Sequence, residues 1–110
     1  MLTRQQRIPK NLFLLLKKNK VYEGEVFSLR ATFLEQGGPR AVCIVSKKIS
    51  PRAHERNKVK RQVYSILFPI LRVSKNNVAL QIFPKKNILD KKYSDIEKDI
   101  LFIISINKLL

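Results

Sequence analysis

The spacing of apolar side chains changes along the chain, and each spacing predicts an element. Residues 26–34 alternate, with Phe27, Leu29, Ala31 and Phe33 on one side and Val26, Ser28, Arg30 and Thr32 on the other. A period of two puts successive side chains on opposite faces of a strand. Gly37-Gly38-Pro39 then makes a turn, and residues 41–45 form a short apolar run rich in β-branched side chains, so the two runs are expected to pair as a hairpin. From Ser50 the period becomes helical: Val59, Val63, Ile66 and Leu67 recur at i, i+4, i+7 and i+8, which makes one apolar stripe. Ser50 as N-cap and Pro51 at the first helical position mark the start. The helix is predicted over residues 51–67, with Pro69 kinking or ending it.

Asn76-Asn77 makes a turn before a predicted strand at residues 78–83, and residues 84–92 read as a basic loop. Ser94-Asp95-Ile96-Glu97 fits a capping box at the head of a last helix, although residues 100–106 are apolar nearly all round and leave a strand open. Near the other end, Asn11 can cap a short helix through Leu12, Phe13, Leu15 and Leu16. That helix ends in Lys17-Lys18, where cations suit the helix dipole. Residues 1–9 read as a loose basic arm, and one more strand is possible near residues 20–23. The order α-β-β-β-α-β-α predicts an α+β fold, an α/β sandwich in which three helices pack on a mixed sheet of about four strands. The strand, long helix and strand over residues 41–83 form a βαβ crossover. A chain of 110 residues is expected to be a single domain, residues 1–110, with one core.

Charge narrows the function. Twenty-three Lys and Arg face eight Asp and Glu, a net charge of +15, whereas solubility alone needs only about 2 to 8. Such an excess favours a polyanionic partner, with nucleic acid ahead of an anionic membrane surface. The apolar run at residues 12–16 is too short for a secretory signal and runs into Lys17, Lys18 and Lys20. The longest apolar run, residues 100–106, cannot span a bilayer. A cytoplasmic protein is expected.

The charge is densest over residues 46–61, SKKISPRAHERNKVKR, where Lys47, Lys48, Arg52, Arg56, Lys58, Lys60 and Arg61 oppose Glu55 alone. On a helix, Ala53, Asn57, Lys60, Arg61 and Tyr64 share an arc beside the apolar stripe, with Arg56 at the boundary. The stripe can dock on a sheet while the arc faces outward. Arg56 and Arg61 can then grip phosphates bidentately, Lys60 acts as a point charge, and Asn57 can bond a base edge or a 2′-OH. Free amides at the helix start offer another phosphate site.

The chain has few means of doing chemistry alone. A two-histidine nuclease mechanism needs a partner for His54, and this is the sole histidine. The eight acids are scattered instead of clustered as a metal nuclease requires, and Asp95, Glu97 and Asp99 read as complements to a helix N-terminus. No zinc spacing, P-loop or dinucleotide loop occurs. Cys43, in an apolar run, reads as a buried hydrophobe.

Arg56-Asn57-Lys58-x-Lys60-Arg61, preceded by Val45-Ser46-Lys47-Lys48-Ile49 and Ala53, resembles the signature of the bacterial ribonuclease P protein component. The resemblance extends over most of the chain. It implies a fold like the second domain of ribosomal protein S5, with a left-handed crossover in place of the usual right-handed one. It also implies the protein subunit of a ribonucleoprotein endoribonuclease that removes the 5′ leader of precursor tRNA, with catalysis by the RNA and Mg²⁺ held by that RNA. The expected partners are ribonuclease P RNA, one protein per RNA, and precursor tRNA. RNA contact then falls to Lys47, Lys48, Arg52, Arg56, Asn57, Lys58, Lys60 and Arg61. Lys58 stands where many members carry arginine. A second contact, the cleft for the single-stranded leader, maps to Leu12, Leu16 and Arg30, where aromatics are common in the family; Phe27 and Tyr22 are further candidates for stacking, with core packing the expected role of Phe27. Weaker stacking shifts that contact toward Arg30 and electrostatics. The alternative is a basic RNA-binding module, ribosomal or chaperone-like, with no part in cleavage.

Overall fold

The computed structural model describes residues 21–33, 38–107 and 109. Within them the chain forms β1 (Val21–Glu23), β2 (Phe27–Phe33), β3 (Arg40–Cys43), helix α1 (Ala53–Val73), β4 (Val78–Pro84), a 3-10 turn (Lys86–Asp90) and helix α2 (Tyr93–Ile106). The strands make one mixed sheet in the order β1-β2-β4-β3. The expected short helix at residues 12–16 and the arm at residues 1–9 lie outside the described residues, so two of the three expected helices are seen.

The expected hairpin between residues 26–34 and 41–45 does not form. β4 lies between β2 and β3, antiparallel to β2 from Phe27↔Pro84 to Phe33↔Val78 and parallel to β3 from Arg40↔Ala79 to Cys43↔Ile82. Burial explains the order. Val78, Ala79, Leu80, Gln81 and Ile82 are all buried, so β4 is covered on both faces, and such a strand belongs in the sheet interior. The alternation within β2 held a true strand signal, but a turn between two apolar runs does not say which strands pair. Gly38 has φ 73°, a left-handed conformation that suits glycine. Its N–H donates to Asn77 Oδ1 at 2.8 Å, which ties the β2–β3 connection to the loop before β4.

One face of the sheet carries Phe27, Leu29, Ala31, Ala41, Cys43, Leu80 and Ile82, all buried. Against it pack Val59, Val63, Ile66, Leu67 and Leu71 of α1 and Ile96, Ile100, Ile103 and Ile104 of α2. The predicted stripe of α1 is therefore the face that docks. Helix α1 passes through Pro69 and ends six residues beyond the predicted end, at Val73. An interior proline costs about 3 kcal/mol. Burying Leu71, together with half-buried Ile70, offsets that at about 1.5–3 kcal/mol for a fully buried side chain. Helix α1 also starts at Ala53, with Arg52 as N-cap and no side-chain cap, so Ser50 and Pro51 precede it.

Helix α2 settles the ambiguity at residues 100–106 in favour of helix, because those side chains sit between the sheet and α1 on one side and solvent on the other. Its capping box does not form: Lys92 is the N-cap and no side chain caps it. Asp99 is not a complement to the helix start either. Its carboxylate accepts from Glu25 N at 3.0 Å and Val26 N at 2.9 Å, clamping the turn between β1 and β2. A Cβ at Gly24 would lie 2.8 Å from Asp99 Oδ2 and 2.9 Å from Phe27 Cε1, so the clamp requires glycine there.

Candidate nucleic-acid interface

The entrance to α1 is organised by Ser50, which is 1% exposed. Its hydroxyl donates to Glu55 Oε1 at 2.7 Å and accepts from Arg52 N at 3.3 Å, and its carbonyl accepts from Arg56 Nη1 at 3.0 Å. Glu55, the single acid of the basic segment, is thereby held by a hydroxyl, and among the described residues the neighbouring cations form no ion pair with a carboxylate. The uncapped helix start leaves first-turn amides free of side-chain bonds, as an anion site requires. These amides lie two to three residues beyond the expected start. Lys47 and Lys48 are exposed in the turn after β3, and Arg52 is exposed at the N-cap.

Farther along, His54, Asn57, Lys60, Arg61 and Tyr64 line one recess of about 380 Å³. Four of these belong to one flank by helical spacing alone. Tyr64 is fixed there because Cys43 N–H, on the outer side of edge strand β3, donates to its hydroxyl at 3.0 Å. Among the described residues, His54, Asn57, Lys60 and Arg61 make no hydrogen bond or ion pair with another side chain; the two ion pairs, Lys85–Glu23 at 2.9 Å and Lys91–Glu25 at 3.6 Å, lie elsewhere. Asn57, Lys60 and Arg61 of the arc named from spacing thus line the recess without a side-chain partner among the described residues. Of the predicted set on α1, two members sit apart from it. Arg56 is half-buried and bound to Ser50, and Lys58 is on the opposite flank beside Glu55, Gln62, Ile88 and Leu89. His54, three residues before Asn57 on the same flank, joins the recess.

The residues expected at the leader cleft are described only in part. Leu12 and Leu16 lie outside the described residues. Phe27 is fully buried and faces the helices, so it offers no ring for stacking. Arg30 is an odd number of residues away on the same strand and therefore points to the opposite face. There its guanidinium lies 5.2 Å from the centroid of the Phe83 ring, a cation–π geometry. Tyr22 packs against the core. Phe83 was missed because cross-strand register, Ser28↔Phe83 and Arg30↔Gln81, is not written in either strand alone. Thr32 Oγ1 and Gln81 Oε1, on this same face, are buried without a hydrogen-bond partner.

A larger recess, about 450 Å³, lies at the β1–β2 corner, but Glu25, Asp95 and Asp99 outnumber Lys91 and Lys98 in its lining. Three carboxylates repel phosphate, so this recess is not the nucleic-acid site. Burial pushes the Cys43 thiol up to about 12 against a smaller opposing effect of Lys60, which leaves it protonated and unreactive at neutral pH. Among the described residues no group of three or more His, Cys, Asp or Glu is placed to hold a metal ion, and no helix is long and apolar enough to cross a membrane.

The family model described as Ribonuclease P matches residues 2–106. The chain belongs to the ribonuclease P protein family. No curated protein sequence matches it closely enough to add a relative. Among solved structures, the Staphylococcus aureus RNase P protein superposes with a TM-score of 0.81 at 23% identity, covering 94% of this chain and 95% of that one. The Thermotoga maritima RNase P protein gives 0.75 at 21% identity, covering 86% and 91%. At these identities the structures speak for the fold, and they bear out the α/β sandwich with a mixed four-stranded sheet. Family membership makes the chain the protein subunit of ribonuclease P, whose partner is ribonuclease P RNA.

Proposed function

We propose that the chain binds the catalytic RNA through the α1 flank and its flanking turn, and assists endonucleolytic removal of the precursor-tRNA leader in the cytoplasm. The observation that carries this is the flank itself: Asn57, Lys60 and Arg61 stand together around an aromatic ring, with no carboxylate paired to them among the described residues. Lys47, Lys48, Arg52 and the open amides at the head of α1 extend the same surface, while Arg56 shapes it by holding the Ser50 carbonyl. Lys58, on the far flank, adds long-range attraction. The RNA holds Mg²⁺ and performs the hydrolysis, and the protein screens repulsion between the two RNAs, one protein per RNA. The leader lies across the sheet face that carries Arg30 and Phe83, where the ring and guanidinium offer stacking and charge.

The experiment is reconstitution with bacterial ribonuclease P RNA and precursor tRNA at low Mg²⁺. Added protein is expected to raise the rate of 5′ maturation above that of the RNA alone. An RNA that is bound but cleaved no faster would identify a basic RNA-binding module without a part in cleavage. Affinity for the RNA is expected to fall by several orders of magnitude between low and moderate salt if about six to ten phosphates are neutralised.

A further inference from the structure

We infer that the recess on the α1 flank is a pocket for one unpaired nucleotide of the RNA partner, its base against Tyr64 and its phosphate between Lys60 and Arg61. The inference rests on the reading of that flank as the RNA-binding surface and goes beyond it, because a basic face needs no hollow. Flat arrays of lysine and arginine serve duplex RNA, whose phosphates lie on a convex backbone and whose bases are hidden. Here the surface is concave. Its volume of about 380 Å³ falls at the lower end of the roughly 300–1,000 Å³ of small-ligand pockets, on the scale of a single nucleotide and not of a paired helix.

The lining has three kinds of group, and each matches one part of a nucleotide. Tyr64 supplies an aromatic surface held in place by the Cys43 N–H at 3.0 Å and by packing on the core. A ring that is already immobilised loses little freedom on stacking. Lys60 and Arg61 supply charge for the phosphate, and Arg61 adds a planar fork of donors. Asn57 presents a donor and an acceptor at once, the pairing that reads a base edge. His54 closes the rim one helical turn before Asn57 and Lys58. No acid lines the recess among the described residues, so neither a basic peptide nor a metal ion is favoured over the nucleotide.

The pocket separates two contributions to affinity that a basic face alone would merge. Stacking does not release counterions, whereas phosphate contacts do. Tyr64→Leu keeps an apolar side chain against the core and removes the ring; Tyr64→Phe keeps the ring and removes the hydroxyl. Binding to ribonuclease P RNA is measured across a salt series with both. Tyr64→Leu is expected to weaken binding roughly 5- to 100-fold with the slope of log affinity against log salt unchanged, while Tyr64→Phe binds within about 2-fold of the parent. Probing the complex with a reagent for unpaired Watson–Crick edges is expected to show one nucleotide protected by the parent protein and exposed in the Tyr64→Leu complex. Asn57→Ala, at an exposed position, is expected to expose the same nucleotide, and it serves as the test if Tyr64→Leu fails to fold. Parent-like affinity and protection in Tyr64→Leu and Asn57→Ala would overturn the pocket while leaving the RNA-binding face intact, provided that Lys60→Ala/Arg61→Ala still weakens binding. Parent-like binding by that double variant as well would overturn the face itself.

Discussion

The head of α1 and the corner between β1 and β2 both place lysines near carboxylates, yet the two regions use them differently. At the corner, Lys85 Nζ bridges Glu23 at 2.9 Å and the Gly24 carbonyl at 2.9 Å, Lys91 meets Glu25 at 3.6 Å, Asn87 Nδ2 donates to the Glu25 carbonyl at 3.1 Å, and Asp99 takes two backbone amides. Charge there is paired and serves to fasten a turn to α2 and to the 3-10 segment. At the head of α1, seven cations oppose Glu55, and that acid is engaged by the Ser50 hydroxyl. Charge there remains open to a partner. Lysine content therefore does not distinguish the two regions. What distinguishes the proposed RNA-binding flank is that, among the described residues, its lysines and arginines form no ion pair.

This contrast can be broken most forcefully at the α1 flank. Asn57→Ala/Lys60→Ala/Arg61→Ala removes two charges and an amide from exposed or half-buried positions. RNA affinity is expected to fall roughly 10²- to 10⁴-fold, at about 1.5–3 kcal/mol for each of the two charge-assisted contacts, with the salt slope shallower by about 2. Thermal unfolding should move little, and a large fall in Tm would mean that these side chains support the fold instead.

The corner should behave in the opposite sense. Asp99→Ala leaves the Glu25 and Val26 amides without their acceptor and is expected to cost about 1–3 kcal/mol of stability, several degrees in Tm, with RNA affinity nearly unchanged. Denaturant unfolding and the RNA titration together check it, and a loss confined to RNA binding would reverse the assignment. Gly24→Ala should produce a similar but smaller loss, about 1 kcal/mol or more according to how far Asp99 and Phe27 give way.

The smallest effect concerns pH. The hydrogen bond from the Lys85 ammonium holds the Glu23 carboxyl below its ordinary value against the opposing effect of desolvation, with the Ser28 hydroxyl adding to the lowering. A carboxyl depressed in the folded state contributes stability above its unfolded value, near pH 4.3, and loses that contribution as pH falls through the folded value. Stability at the corner should thus decline slightly in acid, less so in Glu23→Gln, which lacks the titrating group. Denaturant unfolding of the parent and of Glu23→Gln between pH 6 and 3.5 checks this. Because Glu23 is largely exposed, the change should be small and should shrink further in salt.

Much of the sheet and both described helices were legible because their signals are local. Alternation at Phe27, Leu29, Ala31 and Phe33 marked β2, and the Val59, Val63, Ile66 and Leu67 spacing marked the docking face of α1. The Asn57, Lys60, Arg61 and Tyr64 arc followed from that same spacing, since fixing the buried side of a helix also fixes the exposed one. Partner choice was not legible. Ser50 as N-cap and Asp99 as a helix complement each had a local role to play, but other residues gave them different ones.

The amino-acid order alone determined the period of each element, the sign and concentration of the charge, and the family signature, because all three are carried by residues close together in the chain. Only the tertiary structure decided that β4 divides β2 from β3, that α1 outlasts Pro69, that Arg30 meets Phe83, and that Cys43 fixes the Tyr64 ring beside Asn57. Those outcomes depend on burial and register between segments tens of residues apart, and the free energy of such contacts exists only after the chain has packed.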